Sequence, residues 1–240
     1  MRDYKMELEQ RIEFVKAVLK EANSEGIVFG NSGGKDSALA GIICKLACEN
    51  TLGIMMPCES KVNFEDDISD AVLLAEKFNI ECITVDLTAA KKSILSEVST
   101  SKLSETAVKN IPPRLRMTTV YAFAQSCNAL VCGTGNRSEN YVGYFTKWGD
   151  GGYDFNPVSD LTVTEVYEFL KFLEAPKSII KKAPSAGLFE GQTDEKELGV
   201  TYKEIDDFLL HGKKGENYDK IEKMHNITEH KRRFPKVFKK

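Results

Sequence analysis

The sequence predicts a single doubly wound α/β domain over residues 1–240, a mainly parallel sheet with helices on both faces. Three observations carry that expectation. Between Ile27 and Val85, short apolar runs alternate with stretches of helical periodicity, the order strand, helix, strand, helix, strand that a parallel sheet requires. The glycine- and serine-rich stretch Gly30-Asn31-Ser32-Gly33-Gly34-Lys35-Asp36-Ser37 separates the first of those strands from the helix that follows it. A second glycine turn, Gly133-Thr134-Gly135-Asn136, follows another short apolar run. Ligands of open α/β sheets bind beyond the carboxyl ends of the strands, so both turns are expected on one edge, facing one ligand.

Taken in order, Leu8, Ile12, Val15 and Leu19 recur at helical spacing and predict an amphipathic helix over about residues 5–22, which leaves no room for a catalytic domain ahead of the first strand. Ile27 to Phe29 is that strand. Ala38, Ile42 and Leu46 carry the next helix, Leu52 to Met56 reads as a buried strand closed by Pro57, and Asp66 to Phe78 as a helix with Ile68, Val72 and Ala75 inward. The strand Cys82 to Val85 follows. Leu103 to Asn128 is helical apart from a break near Ile111-Pro112-Pro113, which puts Arg114 and Arg116 in the first turn of a new helix. Ala129 to Cys132 is the next strand. Tyr141 to Pro157 has too many glycines for a helix and too many aromatics for a solvated loop, and aromatic faces beside flexible backbone suit stacking on flat rings. Leu161 to Leu173 is a helix with Val166, Phe169 and Leu170 inward, Ala183 to Gly199 a polar, unperiodic stretch expected as a mobile lid, and Tyr202 to Leu210 and Asp219 to Met224 short helices.

The turn from Gly30 to Ser37 is built for an anion. Glycines let the backbone approach phosphate oxygens, and the free N–H groups and dipole of a helix start favour negative charge. It is not a Walker A loop, because Gly34-Lys35 is followed by Asp36 and the residue five before Gly34 is Phe29. The dinucleotide fingerprint fails too, the glycines falling at 30, 33 and 34. Asp36 is the informative residue. A carboxylate among phosphate oxygens is repulsive unless a cation lies between them, so it implies a hard divalent ion, most simply Mg2+.

The net charge of −3 argues against a general nucleic-acid binder. Charge is unevenly placed, though, with six basic residues and no acid between Lys231 and Lys240, a pattern that fits an anchored anion or a solvated tail. Six cysteines without a C-x-x-C pair or nearby histidines read as reduced core residues of a cytoplasmic protein. No signal peptide is visible, and no apolar run approaches the roughly 20 residues of a membrane span.

Ser32-Gly33-Gly34-Lys35-Asp36-Ser37 resembles the Ser-Gly-Gly-x-Asp-Ser loop of the ATP pyrophosphatases, enzymes that cleave ATP between its α and β phosphates. The later stretches are similar, in the same order, to those of the ammonia-dependent NAD+ synthetases: Gly133-Thr134-Gly135-Asn136-Arg137-Ser138-Glu139, Gly143-Tyr144-Phe145-Thr146-Lys147-Trp148-Gly149-Asp150-Gly151, Lys182-Ala183-Pro184-Ser185-Ala186, Gly191-Gln192-Thr193-Asp194-Glu195, Leu198-Gly199-Val200-Thr201-Tyr202 and Glu229-His230-Lys231-Arg232. The resemblance covers about residues 8–236. It implies the adenine nucleotide alpha hydrolase-like, Rossmann-like fold without a glutaminase domain. It also implies a reaction in which ATP adenylates the nicotinate carboxylate of deamido-NAD+, releasing pyrophosphate, and ammonia displaces AMP.

By position, the resemblance implies that Gly30, Asn31, Ser32, Gly33, Gly34, Lys35, Asp36 and Ser37 hold the ATP phosphates, that Thr134 and Ser185 contact the nucleotide, and that Asp36 and Glu139 coordinate Mg2+. Arg114, Lys147, Asp154, His230 and Lys231 would bind deamido-NAD+, at the interface of a homodimer. Two departures from the family pattern stand out: Val163 where relatives usually carry a lysine, and Gly187 where they commonly have aspartate. Lys35, Lys181 or Lys182 is expected to supply the missing charge. A tRNA-thiolating relative would call for a reactive cysteine pair and a basic RNA surface, and a GMP synthetase for a different C-terminal region. A regulator that has lost turnover would lack the two acids, both of which are present.

Overall fold

The structure, a computed structural model, describes residues 2–59, 63–98, 102–182 and 194–238. Helix α1 (Tyr4–Ala22) is started by Asp3, whose carboxylate accepts from the amides of Lys5 and Met6, and stopped by Asn23 in the left-handed region at φ 50°. Its buried residues are Arg11, Val15 and Leu19. Arg11 earns its depth through ion pairs with Glu7 and Asp160 at 2.7 and 2.6 Å, while Leu8 and Ile12 are half-buried beside it.

Then come β1 (Gly26–Gly30), α2 (Lys35–Ala47), β2 (Thr51–Met55), α3 (Asn63–Phe78), β3 (Glu81–Thr84), α4 (Thr88–Glu97), α5 (Glu105–Lys109), α6 (Ile111–Ser126) and β4 (Ala129–Cys132). The remaining elements are α7 (Arg137–Val142), α8 (Val163–Phe172), α9 (Lys177–Lys181), α10 (Asp194–Leu198), α11 (Tyr202–His211), α12 (Tyr218–Ile227) and α13 (Glu229–Arg232). The four strands form one parallel sheet in the order β3-β2-β1-β4. Val28 lies opposite Leu52 on one side and Val131 on the other. The chain therefore reverses its direction of winding at β1, and the loops leaving β1 and β4 meet at that switch point.

Period-2 alternation sorts the strand residues between two cores. Ile27 and Phe29 face α1, α2, α3, α8 and α9, packing with Ile42, Leu74, Phe169 and Ile179. Val28 and Ile54 face the other layer, with Val120 and Ala124 of α6. A third cluster joins α7, α8, α11 and α12 around Val142, Val163, Tyr202, Ile205 and Ile221.

Three expectations are revised here. Helix α3 turns Ala71, Leu74 and Ala75 inward, so Val72, one position off that stripe, is 37% exposed. Leu46, in the last turn of α2, lies beyond the edge of the packed face and is 49% exposed. Cys127 is exposed at the end of α6, while Cys44, Cys58 and Cys132 are buried and all six thiols are free. Of the stretch expected as a lid, residues 183–193 lie outside the described residues, Ser185 and Gly187 among them; Asp194 and Leu198 are buried on α10. Among the described residues no helix is long and apolar enough to cross a membrane.

Candidate active site

Both glycine turns open into one cavity of about 810 Å³ at the carboxyl ends of β1, β2 and β4. The first is held by its own polar groups. Ser37 Oγ accepts from the amide of Ser32 at 3.3 Å and donates to the Gly34 carbonyl at 3.0 Å, and Asn31 donates to the Ala71 carbonyl of α3 at 3.1 Å. Gly33 sits at φ +72°, and a Cβ there would lie 2.1 Å from the carbonyl oxygen of Asp67. Only glycine lets the loop lie against α3 in this way. Gly33→Ala is expected to destabilise the protein by about 2 kcal/mol, through strain plus a clash with backbone. It should also weaken ATP binding; unchanged urea unfolding would contradict the packing described. Helix α2 begins at Gly34 without a side-chain cap, which leaves its first amides for an anion.

The second turn is fixed by Asn136, which is fully buried. Asn136 and Glu139 form a reciprocal capping box at the start of α7. The Asn136 amide group also donates to Asp36 Oδ1 at 3.0 Å, tying one turn to the other. Gly133 lies beneath the Tyr153 ring, 2.4 Å from where a Cβ would be, so part of the aromatic stretch at 141–157 packs on the turn itself.

Between the turns lies Lys35. Its ammonium is 2.7 Å from Asp36 Oδ2, 3.6 Å from Glu139 Oε1 and 5.7 Å from the centre of the Tyr202 ring. Burial and the neighbouring Asp36 carboxylate push the Glu139 carboxyl up to about 8, against the opposing pull of Lys35. The Lys35 ammonium is raised despite its burial, because Asp36 and then Glu139 hold the charge in place. A carboxyl whose folded pKa exceeds its unfolded one costs stability as pH rises between the two values. In the metal-free protein the Glu139 carboxyl should therefore cost stability as pH rises from about 5 to 8. Glu139→Gln is expected to remove on the order of 2 kcal/mol of that decline, read by urea unfolding at the two pH values. A slope unchanged by the substitution would refute it.

Asp36 and Glu139 are a hard oxygen pair with a single cation between them, and that is the donor chemistry of a magnesium site shared with phosphate. Among the described residues no group of three or more ligating side chains completes a protein-only site. Phosphate oxygens and water would have to supply the remaining ligands.

The cavity is also lined by Thr134, Lys231 and Arg116. No motif of the chain marks Arg116. It is half-buried, its Nε donates to the Met56 carbonyl at the end of β2, and it forms no ion pair among the described residues. The signal was present: residues two apart on a helix face opposite ways. Of Arg114 and Arg116 only one is turned to the cavity, and Arg114 is the exposed one.

Of the expected substrate residues, Arg114, Lys147, Asp154 and His230 lie outside that lining. Arg114 donates to the Lys147 carbonyl at 3.4 Å, and the Lys147 ammonium donates to the His230 carbonyl at 2.6 Å, so these three form one chain of contacts. Lys231 donates to the carbonyls of Gly143 and Phe145, both at 2.8 Å, which clamps α13 onto the aromatic stretch. Asp154 accepts from Tyr121 and from the amide of Val131 at the end of the sheet. The lysines expected to replace the charge absent at Val163 also differ. Lys181 is exposed, Lys182 is paired with Asp67 and Asp70 at 2.6 and 2.8 Å, and Lys35 is central. Val163 itself is 4% exposed in the third apolar cluster.

Comparison with known proteins adds relatives across the whole length. A profile described as NAD synthase matches residues 7–236. The chain is 47% identical to the NH(3)-dependent NAD(+) synthetase of Carboxydothermus hydrogenoformans, over 95% of both proteins, and 42% identical to that of Finegoldia magna, over 96% of this chain and 94% of the other. Among solved structures it is similar to an NMN synthetase from Francisella tularensis, with a TM-score of 0.93 and 38% identity over 99% of both chains. It is also similar to the NH3-dependent NAD synthetase of Campylobacter jejuni, with a TM-score of 0.82 and 26% identity over 100% of both.

Proposed function

The chain belongs to the NH3-dependent NAD+ synthetases, a family of ATP-dependent ligases of NAD biosynthesis, and from that premise we propose that it adenylates the nicotinate carboxylate of deamido-NAD+ and lets ammonia displace AMP. The observation that carries this reading is the convergence of Asp36 and Glu139, from two separate glycine turns, on one cavity edge.

A carboxylate is a poor acyl donor because its leaving group would be oxide; adenylation supplies a stable one. What remains for the protein is alignment and charge compensation. In this reading Gly30 to Gly34 and the first amides of α2 receive the β and γ phosphates, which leave together as pyrophosphate. Ser32 and Ser37 keep the loop in register for them. Asp36 and Glu139 would hold Mg2+, which when bound would offset charge building on the phosphates. Thr134 and Ser185 contact the nucleotide. Arg116 gives the cavity a guanidinium beside its lysines, suited to the α-phosphate or to the carboxylate that attacks it. Arg114, Lys147, Asp154, His230 and Lys231 receive deamido-NAD+, with a second copy of the chain completing that side. The exposed Trp148, Phe234 and Phe238 near those cations in sequence support such a homodimer.

A second reading concerns only the substrate. The similarity to the Francisella NMN synthetase extends over nearly all of both chains, so nicotinate mononucleotide is the competing acceptor. Its carboxylate chemistry is identical, and it lacks only the adenylate half. The test is incubation with ATP, Mg2+ and ammonium, offering deamido-NAD+ or nicotinate mononucleotide in separate arms and following AMP together with the amidated product. A higher kcat/KM for deamido-NAD+ is the expected result. A higher value for the mononucleotide would transfer the assignment to it, and absence of AMP in both arms would overturn the proposal.

A further inference from the structure

We propose that Lys35 is a built-in counter-cation for the Asp36–Glu139 pair, holding the two carboxylates together in the metal-free protein and exchanging places with a divalent ion when nucleotide arrives to take its ammonium onto a phosphate. The inference rests on the reading of Asp36 and Glu139 as the metal-holding pair.

The oxygens decide the matter. Asp36 Oδ1 accepts from the Asn136 side-chain amide at 3.0 Å, and Glu139 Oε2 from the Asn136 backbone amide at 3.3 Å. The other two oxygens, Asp36 Oδ2 and Glu139 Oε1, are those the Lys35 ammonium faces at 2.7 and 3.6 Å. A divalent ion bridging them would occupy the same space as the ammonium and repel it at contact distance. Binding of one therefore excludes the other. The side chain of Lys35 is 6% exposed, so water does little to stabilise the charge, and the carboxylates do most of it.

The ammonium also has a destination. Lysine carries a compact charge on a four-carbon stem, and the stem starts at the first residue of α2, whose opening amides have no side-chain cap and remain for an anion. Lys182, which also lines the cavity, is held by Asp67 and Asp70, and position 163 carries a valine of the apolar cluster. Because the ammonium leaves the carboxylates only when it gains a phosphate, metal and nucleotide should bind with positive coupling. Metal alone should bind weakly.

The experiment titrates Mn2+ alone into the wild-type protein and into Lys35→Met, which keeps an apolar stem against Tyr202, reading free Mn2+ by electron paramagnetic resonance. Lys35→Met is expected to bind Mn2+ at least about tenfold more tightly than wild type, the scale of one charge-assisted contact removed from competition. Lys35→Arg, which keeps the charge, should stay as weak as wild type. Should Lys35→Met fail to fold, Lys35→Gln gives the same comparison, and its thermal stabilisation by Mn2+ should exceed that of wild type. Equal or weaker Mn2+ binding in the uncharged variants, with binding lost in Asp36→Asn, would overturn the exchange alone. Mn2+ bound equally by Asp36→Asn and wild type would overturn the metal-holding pair, and the exchange with it.

Discussion

Asp36→Asn is expected to lower the rate of AMP formation about a thousandfold while leaving the fold intact, the scale seen when a group that compensates transition-state charge is removed. The substitution is nearly isosteric. Oδ1 of Asp36 accepts from Asn136, and an asparagine carbonyl can accept the same bond. What is lost is the negative charge at the position of Oδ2, which faces the Lys35 ammonium and, in the proposed reaction, the metal. The check is turnover with saturating ATP, Mg2+, ammonium and deamido-NAD+, alongside thermal unfolding. Turnover within tenfold of wild type would show that Asp36 serves only to position Asn136.

The second large effect is one of stability. Asp206 of α11 is 2% exposed, and its carboxylate accepts from the Ser138 hydroxyl on α7 at 2.5 Å and from the Thr164 amide and hydroxyl on α8 at 2.8 and 2.7 Å. Ser138 in turn accepts from the Val163 amide at 3.2 Å. One carboxylate thus organises the starts of two helices, and burial raises its pKa even with these donors around it. Asp206→Ala leaves the donors without their acceptor and should cost about 3 kcal/mol, while Asp206→Asn, which keeps an acceptor, should cost less. Urea unfolding of both variants measures this. A loss below about 1 kcal/mol for the alanine variant would mean that water replaces the carboxylate. Because α7 carries Glu139, the alanine variant should also lower the proposed ligase activity.

The parts of the site that were legible in the sequence are those where local chemistry and local structure coincide. A strand, a glycine turn and a helix start leave their mark on consecutive residues, so β1, the loop and α2 could be read together, as could β4 and its turn. Lys35 is different. Its place between Asp36 and Glu139 depends on β4 lying next to β1, which no run of residues encodes, and from sequence it was only one of three lysines for a missing charge. Asn136 was read as part of a turn, although its side chain joins the two turns. Helix α4 went unseen because it has no buried residue, and a helix without an apolar stripe has no periodicity to detect. Arg114, Lys147, Asp154 and His230 came from resemblance alone. Arg114 is on α6, Lys147 and Asp154 are in the stretch between α7 and α8, and His230 is on α13, with no pattern in the chain to bring them together.

The hydrogen bond from Asn136 to Asp36 spans 100 residues, and the strand pair beneath it joins residues 26–29 to 129–132. Closing so long a loop has an entropic cost that only the completed pairing offsets, so this contact belongs to the late, slow events of folding. A growing chain that has not yet emitted β4 has the first glycine turn but no Glu139 opposite it. Nucleotide can therefore stabilise only the finished molecule. Its binding works as a selective brake on unfolding, with little power to speed folding itself.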